Sequence, residues 1–235
     1  MLNKTSNAVR LATIGAVAAS AVTFASTANA EPEVSASVAI ANMYLWRGVD
    51  LGNGDPAVSG DITVSMGGLH AGIWASSGDA ASGTEFDLIL GYGGEFGDFS
   101  YDVSVVNYIY PTSEDSAGNE LDDEFAEFSD LIVSLGFGPV SFGYYDNIAG
   151  SGTEKNKYYT LGAGFDAYSA TIGYHDNDGS DADATHLDLS YAYNDNLAFT
   201  FSQFIDTADD EICPAAYTGC DDDPKIVVSY SLPIE

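Results

Sequence analysis

The chain has 235 residues, with 36 Asp and Glu against six Lys and Arg, giving a net charge of −30. So acidic a surface repels phosphate backbones and excludes nucleic acid as a partner. Mean hydropathy is nevertheless close to zero, so the apolar residues must be concentrated somewhere, either in a core or against lipid.

The first element is an export signal. Lys4 and Arg10 flank a polar start, residues 11–24 are mostly Ala, Val, Ile and Leu without charge, and Ala28-Asn29-Ala30 precedes Glu31. A positive start, a short apolar run and a small-residue site predict a secretory signal peptide over 1–30, cleaved to leave a domain at 31–235. The run is short for a spanning helix. Every acidic residue lies after residue 30, together with only four basic ones: Arg47, Lys155, Lys157 and Lys225.

Strands are then expected near 34–47, 57–66, 69–76, 84–95, 99–110, 126–137, 139–146, 157–166, 168–175, 184–193, 197–205 and 225–232. In 128–137, Leu131, Val133, Leu135 and Phe137 share one face, with Asp130, Ser134 and Gly136 on the other. In 157–165, Tyr159, Leu161, Ala163 and Phe165 alternate with Tyr158, Thr160, Gly162 and Gly164. This is period-two patterning. The joins alternate as well. Gly67-Gly68, Gly97-Asp98, Gly138, Ala167 and Asn194-Asp195-Asn196 mark tight turns. Residues 48–56, 77–83, 111–125, 147–156, 176–183 and 206–224 form longer loops. A single all-β, up-and-down antiparallel transmembrane barrel of about twelve strands has this rhythm, with short periplasmic turns and long acidic outer loops. Its polar inner face carries Gly, Ser, Thr and Asp, and Tyr and Phe at strand ends fit aromatic girdles. A Greek-key sandwich seldom keeps such alternation.

Strand phase turns Arg47, Asp61, Glu85, Asp87, Asp102, Asp130 and Asp188 inward as pore-lining candidates. Arg47, placed near the top of the first strand, reads equally as a counter-charge for the carboxylates or as an eyelet that polarises a pore. His175 and His186 share the inward phase and could approach each other at the outer rim. With a neighbouring carboxylate they form a candidate Zn²⁺ or Cu²⁺ site, against the plainer reading of polar mouth residues. Asp176, Asp178 and Asp181 resemble the start of a calcium loop but lack its closing Glu. A solvated acidic tip, or divalent cations such as Ca²⁺ shared among outer loops, accounts for them better than a dedicated site. Cys213 and Cys220 lie in one loop of an exported chain, which predicts a disulfide. No cofactor is expected. No G-x-S-x-G elbow stands out, so an enzyme at the rim is the least favoured reading.

The first half of 31–235 resembles the TorF-like porins, a proteobacterial family of exported proteins of similar length. The resemblance rests on Tyr44-Leu45-Trp46-Arg47-Gly48-Val49, Asp55-Pro56-Ala57-Val58 with Gly60, and Ala71-Gly72-Ile73-Trp74-Ala75-Ser76. It continues through Glu85-Phe86-Asp87 with Gly91-Tyr92, and Tyr108-Ile109-Tyr110-Pro111. Asp50 and Ser59 depart from the pattern. The resemblance implies an outer-membrane channel.

Taken together, the residues predict a narrow pore for passive diffusion of small solutes or ions, leaning to cations because carboxylates line wall and mouth. Its surroundings would be outer-membrane lipid and lipopolysaccharide. The alternative is a closed barrel whose acidic loops hold cations or a partner.

Overall fold

Branched or aromatic residues alternating with small polar ones suit a pleated wall that has two different environments. The computed structural model of the chain describes residues 31–112, 128–149, 156–177, 183–207 and 222–234. Twelve antiparallel strands close a barrel: β1 (Glu33–Ala41), β4 (Ala57–Met66), β5 (Leu69–Asp79), β6 (Gly83–Phe96), β7 (Phe99–Ile109), β8 (Ser129–Phe137), β9 (Val140–Ala149), β10 (Asn156–Phe165), β11 (Tyr168–Asn177), β12 (Ala184–Ala192), β13 (Leu197–Thr207) and β14 (Lys225–Ile234). A separate hairpin, β2 (Leu45–Trp46) and β3 (Val49–Asp50), lies outside the barrel ladder. Each barrel strand pairs with its neighbours in sequence, and β1 seals the wall by pairing with both β4 and β14 (Val38 opposite Gly60 on one side and Leu232 on the other). Closure removes the open edges that would otherwise expose unpaired N–H and C=O groups.

The outer face is an apolar belt, with Leu90 62% exposed and Leu161 55% exposed. Val38, Ile62, Ile73, Val103, Ile172, Leu189 and Ile226 continue it around the wall. Phe96, Phe137, Phe165, Tyr168 and Tyr193 project at the short-turn end. Tyr144, Tyr159 and Tyr174 stack side by side toward the other end, with ring centroids 5.3 and 6.2 Å apart. Strands of nine to fourteen residues are long enough to cross a hydrocarbon layer.

The expected first strand, 34–47, is cut short. β1 stops at Ala41, and residues 42–56 turn into the lumen instead of forming an outer loop. Asn42 makes the exit. Its amide nitrogen donates to the Ile226 carbonyl at 3.0 Å and its oxygen accepts the Val228 N–H at 2.6 Å, so a side chain completes the ladder where the backbone leaves it. Burial of Tyr44, Leu45, Val49 and Leu51 drives the inward turn, since an outer loop would leave these side chains in water.

Among the described residues, three register shifts occur in the wall, at Ser76/Asp79, Ser129/Asp130 and Thr185/His186. Each lies at the long-loop end. A bulge re-aims the side chains beside it, and two of these bulges border Asp130 and His186.

Residues 1–30, with the expected signal peptide, and Cys213, Cys220, Asp178 and Asp181 lie outside the described residues.

Candidate functional site

The β2–β3 hairpin turns on Arg47-Gly48, whose φ values are +49° and +86°. Two consecutive positive φ angles are what a two-residue type I′ hairpin requires, and they strain a residue other than glycine. Gly48 is needed for a second reason: a Cβ there would sit 2.8 Å from His186 Cγ and 3.0 Å from Phe204. Farther along, Asp50 accepts the Gly52 and Gly54 amides at 3.0 and 2.7 Å, closing the turn that leads back to the wall. The Leu51 N–H donates to the Tyr44 carbonyl at 2.8 Å, and the Leu51 carbonyl accepts from Ala80 at 2.9 Å. Tyr44, Val49, Leu51, Ala57, Trp74, Ala184 and Phe204 form the apolar cluster under this hairpin.

Its tip carries Arg47 among partners on the surrounding wall. The guanidinium donates to Asp130 Oδ2 at 2.8 Å. Around it lie the rings of Trp46, Tyr145 and Tyr158, with centroids 4.4, 4.6 and 4.8 Å from Cζ. Tyr108 Oη donates to the same Asp130 oxygen at 3.1 Å, and Asn147 Nδ2 donates to the other at 3.1 Å. The Arg47 carbonyl accepts from His175 Nε2 at 2.8 Å. Charge, ring faces and backbone are therefore all engaged, which compensates the cost of taking a guanidinium out of water.

His186, 1% exposed, supports the clamp from below. Its Nδ1 lies 3.1 Å from Asp188 Oδ1 and its Nε2 2.7 Å from Tyr158 Oη. A carboxylate only accepts, so in the neutral ring Nδ1 carries the proton and Nε2 accepts the tyrosine hydroxyl. Gly173 on the neighbouring strand makes room: a Cβ there would lie 2.1 Å from His186 Nε2 and 2.3 Å from Tyr158 Oη.

A second network holds Tyr44. Its hydroxyl donates to Glu85 Oε2 at 2.5 Å, and Tyr110 donates to Oε1 at 3.0 Å. Burial first, and the Glu85 charge second, push the Tyr44 phenol well above the ordinary tyrosine value, so it remains a donor. Asp87, two residues on and 1% exposed, faces the same space. No N–H or hydroxyl donor of the described residues reaches either of its oxygens; its hydrogen-bonding neighbour is the Glu85 carboxyl.

Of the residues expected to line a pore, Arg47, Glu85, Asp87, Asp130 and Asp188 thus gather around the hairpin. Asp61 instead joins Ser37 in a short hydrogen bond on the β1–β4 wall, and Asp102 lies 3.6 Å from His70 on β5. Arg47 points inward as expected, but from the inserted hairpin and not from a strand. His175 and His186 do come together, with ring centroids 6.0 Å apart, yet hydrogen bonds take up both ring nitrogens of His186 and the Nε2 of His175. Among the described residues no group of three His, Cys, Asp or Glu is disposed to hold a metal ion. Asp176 follows the outward phase opposite Lys157, and Asp183 accepts from the outward Tyr174.

Sequence reasoning gave no site role to Tyr44, Tyr108, Tyr145 or Tyr158. A signal existed: Tyr158 is a bulky ring on a face otherwise made of Thr160, Gly162 and Gly164. Val49 and Leu51, apolar residues at a supposed loop, were another.

Toward the short turns the inner wall changes character. Ser37, Ser134, Ser141, Thr160, Thr171 and Ser190 are all half-buried and reach water, whereas Glu85, Val106, Asp130 and His186 around the hairpin are sealed. The inner wall is small and polar toward the short turns, and the chain's own hairpin occupies the lumen at the long-loop half.

No curated protein shows significant similarity to the chain. A family model described as a bacterial protein of unknown function (Gcw_chp) matches residues 25–230, and the chain belongs to that family.

Proposed function

We propose that the protein is an outer-membrane pore for small solutes, leaning to cations and narrowed by the Arg47 hairpin, as its resemblance to the TorF-like porins implies. The observation that carries this reading is the lumen. Its wall toward the short turns is small, polar and wet, and the obstruction above it is a separate segment, docked through an apolar cluster, hydrogen bonds and one ion pair. Twelve strands lie between eight, which side chains fill, and sixteen, which leave an open channel. A constriction built from an inward segment suits that intermediate size. Carboxylates at Asp61, Asp102 and Asp188 on the inner wall would concentrate cations and repel anions.

The sealed packing around Glu85, Asp130 and His186 favours a second reading, a barrel closed for good whose outer loops are its working surface. Bilayer conductance under a KCl gradient separates the two. Discrete steps with a cation-selective reversal potential, fading as salt shortens the Debye length to roughly 3 Å near 1 M, support the pore. A correctly folded barrel that stays silent, also after Arg47→Ala, refutes it.

A further inference from the structure

We propose that the pocket around Arg47 is a binding site for guanidinium-bearing organic cations, which Arg47 itself occupies as a tethered ligand. As a statement about which solute passes, this rests on the pore reading; as a statement about binding, it stands apart from it.

The pocket has the features that recognise a delocalised cation. Tyr145 and Tyr158 present ring faces 4.6 and 4.8 Å from the guanidinium carbon, within the range in which a desolvated cation is held by the ring quadrupole. Asp130, held from behind by Tyr108 and Asn147, aims one carboxylate oxygen at the guanidinium plane. These groups belong to β7, β8, β9 and β10, all part of the rigid wall. The cation does not. It arrives on a turn whose Arg47 sits at positive φ, a conformation that an unconstrained arginine seldom adopts. Apart from Trp46, which rides on the hairpin, the site is therefore built by the barrel, and its occupant is brought by a segment whose turn is strained.

Two further observations fit an exchangeable occupant. The Arg47 side chain keeps 14% exposure, so the cage is not sealed. A further carboxyl group also stands beside the cage. Asp87 faces the same space, beside Glu85 and within electrostatic reach of Asp130 and Arg47. An incoming cation would thus find an acceptor near the cage even before Arg47 has left. Planarity sets the class: a guanidinium can lie flat between rings while pairing with a carboxylate, whereas a hydrated alkali ion cannot do both.

A tethered competitor lowers apparent affinity by the fraction of time the site is self-occupied. Methylguanidinium chloride, titrated by calorimetry into the folded barrel in detergent, should therefore bind Arg47→Ala at least about tenfold more tightly than the unaltered protein. Adding Asp130→Asn to Arg47→Ala should abolish the gain, and KCl should give no binding heat at either protein. Should Arg47→Ala fail to fold, Arg47→Lys serves: its ammonium lacks the planar fork, so affinity for methylguanidinium should again rise over the unaltered protein. Equal affinity before and after removal of Arg47, indifference to Asp130→Asn, or equal binding of potassium would overturn the proposal. Conductance keeps the two readings apart. Methylguanidinium binding in a barrel that never conducts leaves this site standing and removes the pore, while conduction without such binding does the reverse.

Discussion

Arg47→Ala is the perturbation that asks most of the clamp. The pair it breaks is 2.8 Å long, between a side chain 14% exposed and one 5% exposed. With an effective dielectric constant of about 20, the bare attraction at that distance is about 6 kcal/mol, opposed by the desolvation of both ions. Truncating one partner leaves Asp130 buried with only the Tyr108 hydroxyl and the Asn147 amide. Removing one member of such a pair typically costs about 3–5 kcal/mol, and the lost ring contacts act in the same direction. Asp130→Asn in the same chain removes the orphaned charge, so the double variant should be more stable than Arg47→Ala alone. The coupling from the double-mutant cycle should reach about 2 kcal/mol or more. The chain has two tryptophans, Trp46 beside Arg47 and Trp74 packed on Tyr44. Their emission during urea unfolding in micelles therefore reports the hairpin, while far-ultraviolet circular dichroism follows the barrel. A coupling below about 1 kcal/mol, the range of exposed pairs, would refute the buried-clamp reasoning.

Gly173→Ala should destabilise the same site by about 1–3 kcal/mol through overpacking, because its Cβ would collide with His186 and Tyr158. If His186 is the obstacle, Gly173→Ala with His186→Ala will cost less than the sum of the single changes, as thermal unfolding can measure. Alkaline pH tests the Glu85 network. Unfolded tyrosine releases its proton near pH 10, while buried Tyr44 and Tyr110 hold theirs beyond that value. The folded state then binds more protons, so stability should be level through neutral pH and fall as pH rises above about 10. Tyr44→Phe should flatten that fall, and an unchanged slope would count against the network. The disulfide predicted between Cys213 and Cys220 is checked by alkylating denatured, unreduced protein; labelling of both thiols would show that it does not form.

Strand number and facing, and most of the boundaries, were written in the sequence because each is a local property with a period of two. Leu161 and Thr160 must face opposite sides whatever the rest of the chain does, and Gly67-Gly68 or Gly97-Asp98 can only be tight turns. Even the inward phase of Glu85, Asp87, Asp130 and His186 follows from their own strands. What alternation cannot express is a segment that leaves the wall. Residues 42–56 continue the strand pattern as far as Arg47, and whether they stay in the ladder depends on groups nearly two hundred residues away, the Ile226 carbonyl and the Val228 amide that Asn42 meets. The same holds for the cage. Tyr108, Asp130, Tyr145 and Tyr158 stand on successive strands, and only closure of the barrel, with a bulge beside Asp130, brings them around one guanidinium. The sequence by itself determined a barrel with a polar interior, because lipid and water sort side chains residue by residue. Tertiary structure alone decided that a hairpin carrying Arg47 occupies the interior, because burying that charge requires partners which only the closed wall assembles.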